Sequence, residues 1–465
     1  MGGLCSTSRQ HTAHAPASRS NRQTVTASNL GKEEVSMRIT PHVQATPELL
    51  VSTHQSPEGS KSKVELACYA LVSEFVANQD QRHALADLRG DEAQVMADFL
   101  NEILEHKGSI VTAERRLVLH TLSGITRAAL VFPASHKLSD VHLEEDPFLE
   151  ENFSDRYKGR WSGQVVDVKV SHVLEASCET NLASDPSNDP KQFLRVCAKD
   201  AILRAHMSHP NILPLHGVHV PDNNQEIWSV SPWIEFGSLP EYLRKSPEVP
   251  RVPLIMGIIS GLLYLHDNDI IHGDLRGQNV LVSKGGRAIL TNFDVSHVHM
   301  RLNTMSRTAV ASEFFMAPEL LLGTESGPTR ASDIWAFACT YYEVKFVDLR
   351  LVTNTSRLEG DDRGFESVNN SKKDDLVPKP EPKMKTDKDE QAWREMKKCW
   401  RLHHSQRPAA KQLFDFLSRV YPGNNSTEAT DLIARPHHTV EINYPHILSI
   451  LERMSSAQGP TSGEI

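Results

Sequence analysis

The sequence predicts an α+β protein in which a domain of short strands and helices follows a small helical module. Three observations along the 465 residues support this order. Apolar side chains recur at helical spacing between residues 46 and 135, and after Asp140 the pattern changes to short strands followed by helices. Hydrophobic residues make up 39% of the chain, which is enough for a sizeable buried core.

The composition narrows the classes of function. The formal charge of -9 leaves no basic stripe of the kind that nucleic-acid binders carry, so we expect a protein partner or protein substrate and no nucleic acid. The six cysteines lie far apart without a C-x-x-C pair, which favours reduced thiols over a disulfide frame or a zinc site. No apolar run reaches the roughly 18 to 20 residues that span a bilayer, so we expect a cytoplasmic protein.

Residues 1–45 are rich in Ser, Thr, Arg and His, and this composition predicts a disordered leader. The leader begins MGGLCS, which matches the N-myristoylation pattern M-G-x-x-x-[ST] through Gly2. Cys5 offers a second acylation site, and two acyl chains would hold the protein at a membrane surface where one would not. The alternative is a chance match, because the pattern is short.

Three amphipathic helices are predicted within the module at residues 46–135. The first covers Lys63 to Asn78, and the third covers Glu114 to Ala128. The second begins after Asp91, a candidate N-cap residue with Gln94 three positions later. The module is either a structural collar for the domain that follows or a docking surface for a partner.

Short motifs occur in a fixed order between residues 138 and 420. YKGRWSGQVVDVKV predicts a strand, turn and strand with Lys169 near its end, and it is followed by HPNILPLHGV, SPWIEFGSLPEYL, HGDLRGQNVLV, TNFD, MAPEL, SDIWAF and CWRLHHSQRP. This succession resembles the protein kinase superfamily, and most closely its tyrosine-kinase-like branch as expanded in fungi. The resemblance implies a bilobal fold, with a five-stranded N-lobe plus one helix and a larger helical C-lobe.

Two polar segments accompany this domain. An insertion at residues 350–390 mixes charged residues with Asn, Ser and Pro, and we expect it to be flexible. Residues 421–465 are expected to form a mostly flexible tail, with one short helix near His446 to Met454.

The resemblance implies ATP and Mg²⁺ as cofactors if the protein is active. In the family a Gly-rich loop covers the phosphates, a lysine paired with a helix glutamate binds them, an aspartate accepts the substrate proton, and Asn and the D-F-G Asp hold the metal. Lys169, Asp274 and Asn279 match the lysine, the catalytic aspartate and the metal-binding asparagine. Arg276 stands where serine/threonine kinases have a phosphate-facing lysine.

Other family positions are altered in ways that should weaken the binding of ATP and Mg²⁺. Asp200, one methylene shorter, replaces the helix glutamate, and D-F-G is replaced by Asn292, Phe293 and Asp294, so a neutral amide stands for a Mg²⁺-binding carboxylate. The three loop glycines are also replaced, and side chains there block the close approach of backbone N–H groups to phosphates. The residues at these glycine positions are Leu149, Glu151 and Ser154.

Two charged residues replace the apolar side chains that cover adenine in the family. Arg156 stands in place of a Val, and Asp167 stands in place of the Ala of V-A-I-K. Residues on adjacent antiparallel strands can pair, and burying either charge alone would be costly. We therefore hypothesise an ion pair between Arg156 and Asp167 in the space of the adenine; the alternative is that both side chains extend to solvent.

Residues that the family uses for architecture are present. Glu319 and Arg407 match a C-lobe salt bridge, Asp333 matches the central helix, and His272 and Phe293 match two members of the regulatory spine.

Three functions are compatible with this pattern. The first is a signalling pseudokinase or scaffold with weak or no ATP binding. The second is a low-activity serine/threonine kinase that transfers the gamma-phosphate of ATP, with Asp294, two residues beyond Asn292, taking over as metal ligand. The third is an adaptor that acts through its N-terminal helices.

Overall fold

A computed structural model describes residues 62–106, 112–151, 154–173, 191–221, 225–293, 315–325, 327–346, 384–424 and 440–457. The leader with Gly2 and Cys5, residue Asp294 and most of the predicted insertion lie outside these ranges. The α+β bilobal fold is confirmed: an antiparallel sheet with one helix precedes a helical lobe, and further helices precede both.

The N-terminal module contains four helices in its described part, where the sequence predicts three. They are α1 (Lys63–Ala77), α2 (Gln79–Ala86), α3 (Gly90–Glu105) and α4 (Thr112–Ala129). The prediction included Asn78 in the first helix and placed no helix directly after it. In the structure this extended residue ends α1 and caps α2 by accepting hydrogen bonds from the backbone N–H groups of Asp80 and Gln81.

The predicted N-cap of the second amphipathic helix is wrong. Helix α3 begins at Gly90 after Arg89, so Asp91 lies in the first turn, where its charge complements the helix dipole. Gln94 does not close a capping box. Its amide donates instead to Asp98 Oδ2 at 3.1 Å and to the carbonyl of Phe132 at 2.8 Å.

The N-lobe sheet has the strand order β1-β3-β4-β6-β5, and β2 also pairs with β3. The strands are β1 (His142–Leu143), β2 (Leu149–Glu151), β3 (Ser154–Trp161), β4 (Gln164–His172), β5 (Gly217–His219) and β6 (Glu226–Pro232). Strands β1 and β2 are one interrupted edge strand, because both pair with β3 and the N–H groups of Glu144 and Phe148 between them still donate to β3 carbonyls. The predicted five-stranded lobe is therefore present with its first strand broken.

A tight turn sets the register between β3 and β4. Ser162 and Gly163 join β3 to β4 with φ values of 47° and 76°, the left-handed pair that a two-residue hairpin turn requires. Helix α5 (Gln192–Ala205) packs on the sheet.

The C-lobe is mostly helical around a small hairpin. Its elements are α6 (Leu239–Lys245), α7 (Arg251–Asp267), β7 (Val280–Val282), β8 (Ala288–Leu290), α8 (Pro318–Leu321), α9 (Arg330–Phe346), α10 (Asp387–Cys399) and α11 (Ala410–Val420). Helix α10 begins before the predicted end of the insertion at residue 390. Helices α7, α9 and α11 enclose the core, in which Leu262, Phe337 and Leu413 are fully buried.

The tail contains a longer helix than the sequence predicts. Helix α12 (Tyr444–Ala457) packs against α1 and α3, so the end of the chain completes the N-terminal module. Ile447, Ile450 and Leu451 are fully buried there. In the described ranges no helix is long and apolar enough to cross a bilayer.

Candidate functional site

The cleft between the two lobes brings together polar residues that are distant in sequence. Lys169 lies on β4, and Asn292 follows β8. Asp274 and Asn279 lie in the segment between α7 and β7, where residues 277–279 form a short 3-10 turn.

Asp333, near the start of α9, fixes the segment that carries Asp274. Its carboxylate accepts the backbone N–H groups of His272 at 2.8 Å and Gly273 at 2.7 Å, and it hydrogen-bonds His266 Nε2 at 2.8 Å. Asp333 is 1% exposed, so these charge-assisted bonds act in a low dielectric and set the backbone directly before Asp274.

A chain of hydrogen bonds crosses the cleft. Lys169 Nζ donates to Asn292 Oδ1 at 3.3 Å, and Asn292 Nδ2 donates to Asn279 Oδ1 at 3.1 Å. Asn279 Nδ2 then donates to Asp274 Oδ2 and to the Asp274 carbonyl, both at 2.7 Å. Asn292 has φ 58°, a left-handed conformation that Asn tolerates better than most residues. The amide oxygens that would face a metal thus accept hydrogen bonds from protein donors.

Arg276 and Glu343 flank the same segment. Arg276 Nε lies 3.4 Å from Asp274 Oδ2, and the N–H of Gly277 donates to Glu343 Oε2 at 3.1 Å. A Cβ atom on Gly277 would lie 2.5 Å from Glu343 Oε2, so the contact requires glycine. Burial raises the pKa of Glu343 to about 7, and the Gly277 N–H opposes that shift.

The ion pair expected between Arg156 and Asp167 is present in the structure. Arg156 Nη1 lies 2.9 Å from Asp167 Oδ2, and both side chains are 7% exposed. The register places Arg156 opposite Lys169 and Asp167 opposite Lys158, so the pair runs diagonally from β3 to β4. Two charges therefore occupy the inner face of the sheet beside Lys169.

Arg204 extends this buried charge, and the sequence reasoning missed it. Arg204 lies on α5, is 4% exposed, and donates from Nη2 to Ser231 Oγ on β6 at 2.6 Å. Its Nη1 atom lies 3.5 Å from Asp200 Oδ2. Burial lowers the pKa of the Arg204 guanidinium, and the Asp200 carboxylate opposes the shift. The signal was available, because Asp and Arg four residues apart share one helix face.

Asp200, which the resemblance places at the helix glutamate, therefore faces the guanidinium of Arg204. It is 7% exposed and lies one helical turn from Arg204. We call Arg156, Asp167, Asp200 and Arg204 the buried charge cluster. Within the described chain, Arg156 Nε, Asp167 Oδ1 and Arg204 Nε are buried without a hydrogen-bond partner.

Strands β2 and β3, which the resemblance places at the Gly-rich loop, pair antiparallel. Glu151 pairs with Ser154 and Leu149 with Arg156, so the three former glycine positions lie on ladder residues. Leu149 is 46% exposed, whereas Ser154 is fully buried. Next to these strands Phe148 packs edge-on against Trp233, with ring centroids 5.3 Å apart.

Architectural contacts hold the C-lobe below the cleft. Arg407 donates twice to Glu319, at 2.6 and 2.7 Å, and its guanidinium lies 5.1 Å from the ring of Trp335. The rings of His272 and Phe293 meet edge-on at 6.2 Å, and Phe293 is fully buried. These buried contacts fix the C-lobe next to the cleft.

The cleft fits a nucleotide and its metal poorly. Where the resemblance places adenine the structure has the charged pair of Arg156 and Asp167 instead of apolar side chains, and the Asn279 and Asn292 amides bond to each other. Among the residues that the structure describes, no three His, Cys, Asp or Glu side chains are placed to hold a metal ion. Asp294, the other candidate metal ligand, lies outside those residues.

A family model described as "Protein tyrosine and serine/threonine kinase" matches residues 153–417. The match covers strands β3 to β6, the cleft and the C-lobe through most of α11, which includes the residues of the site described above.

Known relatives match a shorter stretch of the chain. "Serine/threonine-protein kinase fray1" of Dictyostelium discoideum is 33% identical over 162 residues, which is 34% of this chain and 27% of the relative. "Cytokinesis protein sepH" of Emericella nidulans is 35% identical over 158 residues, which is 33% of this chain and 11% of the relative. The chain thus matches about a quarter or less of the length of these two proteins.

Proposed function

The chain belongs to the protein tyrosine and serine/threonine kinase family, and we propose that it is a pseudokinase or scaffold within that family. It is a kinase-like signalling protein that binds protein partners and has weak or no affinity for ATP and Mg²⁺.

The observation that carries this proposal is the buried ion pair of Arg156 and Asp167. An adenine ring is flat and largely apolar on its faces, and it needs apolar side chains above and below it. The pair at 2.9 Å presents a guanidinium and a carboxylate instead. Inserting a base would separate two charges that are each 7% exposed, and breaking a buried pair costs about 3–5 kcal/mol.

The hydrogen-bonded chain from Lys169 to Asp274 supports the same proposal. Mg²⁺ prefers carboxylate and phosphate oxygens in octahedral geometry. Here Asn292 is neutral, and its amide is already bonded to Lys169 and Asn279. Binding a metal would break these contacts without gaining a carboxylate at position 292.

A phosphotransfer assay tests the proposal. The full chain is incubated with radiolabelled ATP, Mg²⁺ and a general protein substrate, beside the Asp274→Ala variant as control. We expect equal background label in both. Label that exceeds background in the unaltered chain and disappears in Asp274→Ala would contradict the proposal.

A second candidate is a low-activity serine/threonine kinase. Three relatives carry serine/threonine-protein kinase in their names. Lys169, Asp274 and Asn279 lie in one connected set of hydrogen bonds with Asn292. In this case Lys169 binds phosphate, Asp274 accepts the substrate proton, and Asn279 and Asp294 hold Mg²⁺. The phosphotransfer assay separates this candidate from the first.

Further assignments rest on the sequence alone. We infer membership of the tyrosine-kinase-like branch from the order of the motifs, and a kinase-like domain at residues 138–420 after a module at 46–135. We also propose a cytoplasmic protein with acylation at Gly2 and Cys5 that attaches it to membrane surfaces. Labelling cells with an alkyne myristate tests the first modification, and label retained in Gly2→Ala would contradict it.

A further inference from the structure

Helix α4 of the module is attached to α5 of the N-lobe. Arg195 on α5 donates from Nη1 to the carbonyl of Arg127 at 3.1 Å and to that of Ala128, at the end of α4. A cation at this end also complements the helix dipole. The outer face of α5 shares one apolar core with the module, and its fully or almost fully buried residues are Leu194, Ala198, Ala201 and Ile202.

The same helix α4 also reaches the C-lobe. Asp269, which follows α7, accepts a hydrogen bond from Arg116 of α4 at 3.0 Å and also pairs with Arg330 of α9. Leu119 of α4 packs against both the C-lobe core and the module core. One rigid helix therefore contacts both lobes at once.

Helix α5 is held on its inner face as well. Arg204 donates to Ser231 of β6 at 2.6 Å and lies 3.5 Å from Asp200. Helix α5 is thus held by apolar side chains on the face toward the module and by the charged groups of Arg204 and Asp200 on the face toward the sheet. A shift of α5 would separate buried partners on both faces.

Helix α12 completes the module on the side away from α5. Arg453 donates twice to Glu92 of α3, at 2.8 and 2.7 Å, and Tyr444 donates from its hydroxyl to Glu102 at 3.0 Å. The thiol of Cys68 on α1 donates to the Tyr444 carbonyl at 3.3 Å. The end of the chain thereby ties α1 to α3, and α3 and α4 pack together.

We propose that the module and α12 form an internal brace that holds the two lobes at one fixed separation. Helix α4 is the bracing element. It contacts the C-lobe through the packing of Leu119 and through the pair of Arg116 with Asp269. Helix α12 keeps the module folded. The brace is independent of the proposed function, because it would restrict lobe motion in an active kinase and in a pseudokinase alike.

The packing of Leu119 should contribute more than the ion pair to holding α4 on the C-lobe. The ion pair of Arg116 and Asp269 is half-exposed, and exposed pairs contribute little to stability. Leu119 is partly buried between two cores, so rotation of one lobe against the other exposes its apolar surface. Both contacts must be changed to release the lobes.

Pulsed electron paramagnetic resonance between one label on each lobe tests the brace. Spin labels are placed at Arg160→Cys on β3 and Lys411→Cys on α11, both exposed positions. Cys5 and Cys178 are replaced by Ser, and the four cysteines in the described chain are buried. The compared chains are the full length, a chain that ends at residue 439, and the double variant Leu119→Ser with Arg116→Gln.

We expect one narrow distance distribution in the full chain and at least a twofold broader one in both altered chains. The control is Leu402→Ser, which removes a 39% exposed leucine from the C-lobe and should leave the distribution narrow. If the shortened chain does not fold, the double variant decides alone. A broad distribution in the full chain, or a narrow one in the folded double variant, would overturn the proposal.

Discussion

Charge burial dominates the cleft at the scale of single residues. The buried charge cluster contains two arginines and two aspartates, and polar atoms of Arg156, Asp167 and Arg204 lack hydrogen-bond partners within the described chain. A partly satisfied network in a low dielectric is a costly arrangement. We therefore expect the cluster to specify the shape of the cleft more than it adds to stability.

Substitutions at the pair of Arg156 and Asp167 measure how much the buried charges contribute to stability. Arg156→Val or Asp167→Ala alone leaves one buried charge unpaired, and each should lower the free energy of unfolding by about 3–5 kcal/mol. The double variant removes both charges and should be within about 1–2 kcal/mol of the unaltered chain, or more stable. Urea denaturation measures all four proteins. Additive losses in the double variant would show that the charges do not interact.

Asn292 determines the response of the cleft to metal. In Asn292→Asp a carboxylate returns beside Asn279, so we expect 10 mM Mg²⁺ to raise the Tm of this variant by a few degrees, because ligands that bind only the folded state stabilise it. The unaltered chain and Asn292→Ala should show no such shift. An equal Mg²⁺ shift in all three proteins would place the metal elsewhere.

Glu343 links stability to pH. Burial raises its pKa from the ordinary value of 4.5 to about 7, so between these values the folded protein holds a proton that the unfolded chain has released. Stability should fall as pH rises through this window and level off above pH 7. Glu343→Gln can still accept the Gly277 N–H and should remove this fall, which is on the order of 3 kcal/mol for a pKa raised from 4.5 to about 7. An unchanged pH profile in the variant would contradict the assignment.

The residue scale also shows what the sequence can predict of the site. The Arg156 and Asp167 pair was predictable because both replace apolar residues on neighbouring strands. The hydrogen bond between Asn279 and Asn292 was not, because it depends on the left-handed turn at Asn292 and on how the β7–β8 hairpin folds. The pairing of Arg204 with Asp200 was predictable from their spacing of four residues, whereas its hydrogen bond to the distant Ser231 was not.

Among the elements, α12 is longer than the predicted helix near His446 to Met454. Its buried residues Ile447, Ile450 and Leu451 stand in an otherwise polar segment of sequence, which weakens the helical pattern at its ends. Helix α2 was missed for a related reason: QDQRHALA has only one residue that is buried, Leu85, so it carries little periodic signal. Long amphipathic helices such as α3 and α4 were predictable, whereas partners contributed by distant parts of the chain were not.

Packing rather than charge should hold α12 on the module. Ile450 is fully buried, so Ile450→Ala should lower the free energy of unfolding of the module by about 2–5 kcal/mol. Arg453 is 58% exposed in its pair with Glu92, and Arg453→Gln should cost much less than Ile450→Ala, because exposed ion pairs contribute little to stability. Hydrogen exchange of α1 and α3 compares the two. A larger effect of Arg453→Gln would reverse this order.

The molecule as a whole combines an intact architecture with an altered cleft. The salt bridge of Glu319 and Arg407 is present, Asp333 anchors the backbone before Asp274, and the module contacts both lobes. The order of motifs was sufficient to predict this bilobal fold, because each motif corresponds to one element. The contact of α4 with both lobes could not be predicted, since no local pattern encodes it.

A thermal unfolding experiment with ATP tests the central claim most directly. The full chain is melted without ligand, with millimolar ATP, and with millimolar ATP and Mg²⁺. The buried ion pair and the bonded amides predict the same Tm in all three conditions. A ligand at a hundredfold excess over its Kd stabilises a protein by about 2.7 kcal/mol, and a rise in Tm of that size that requires Mg²⁺ would contradict the account.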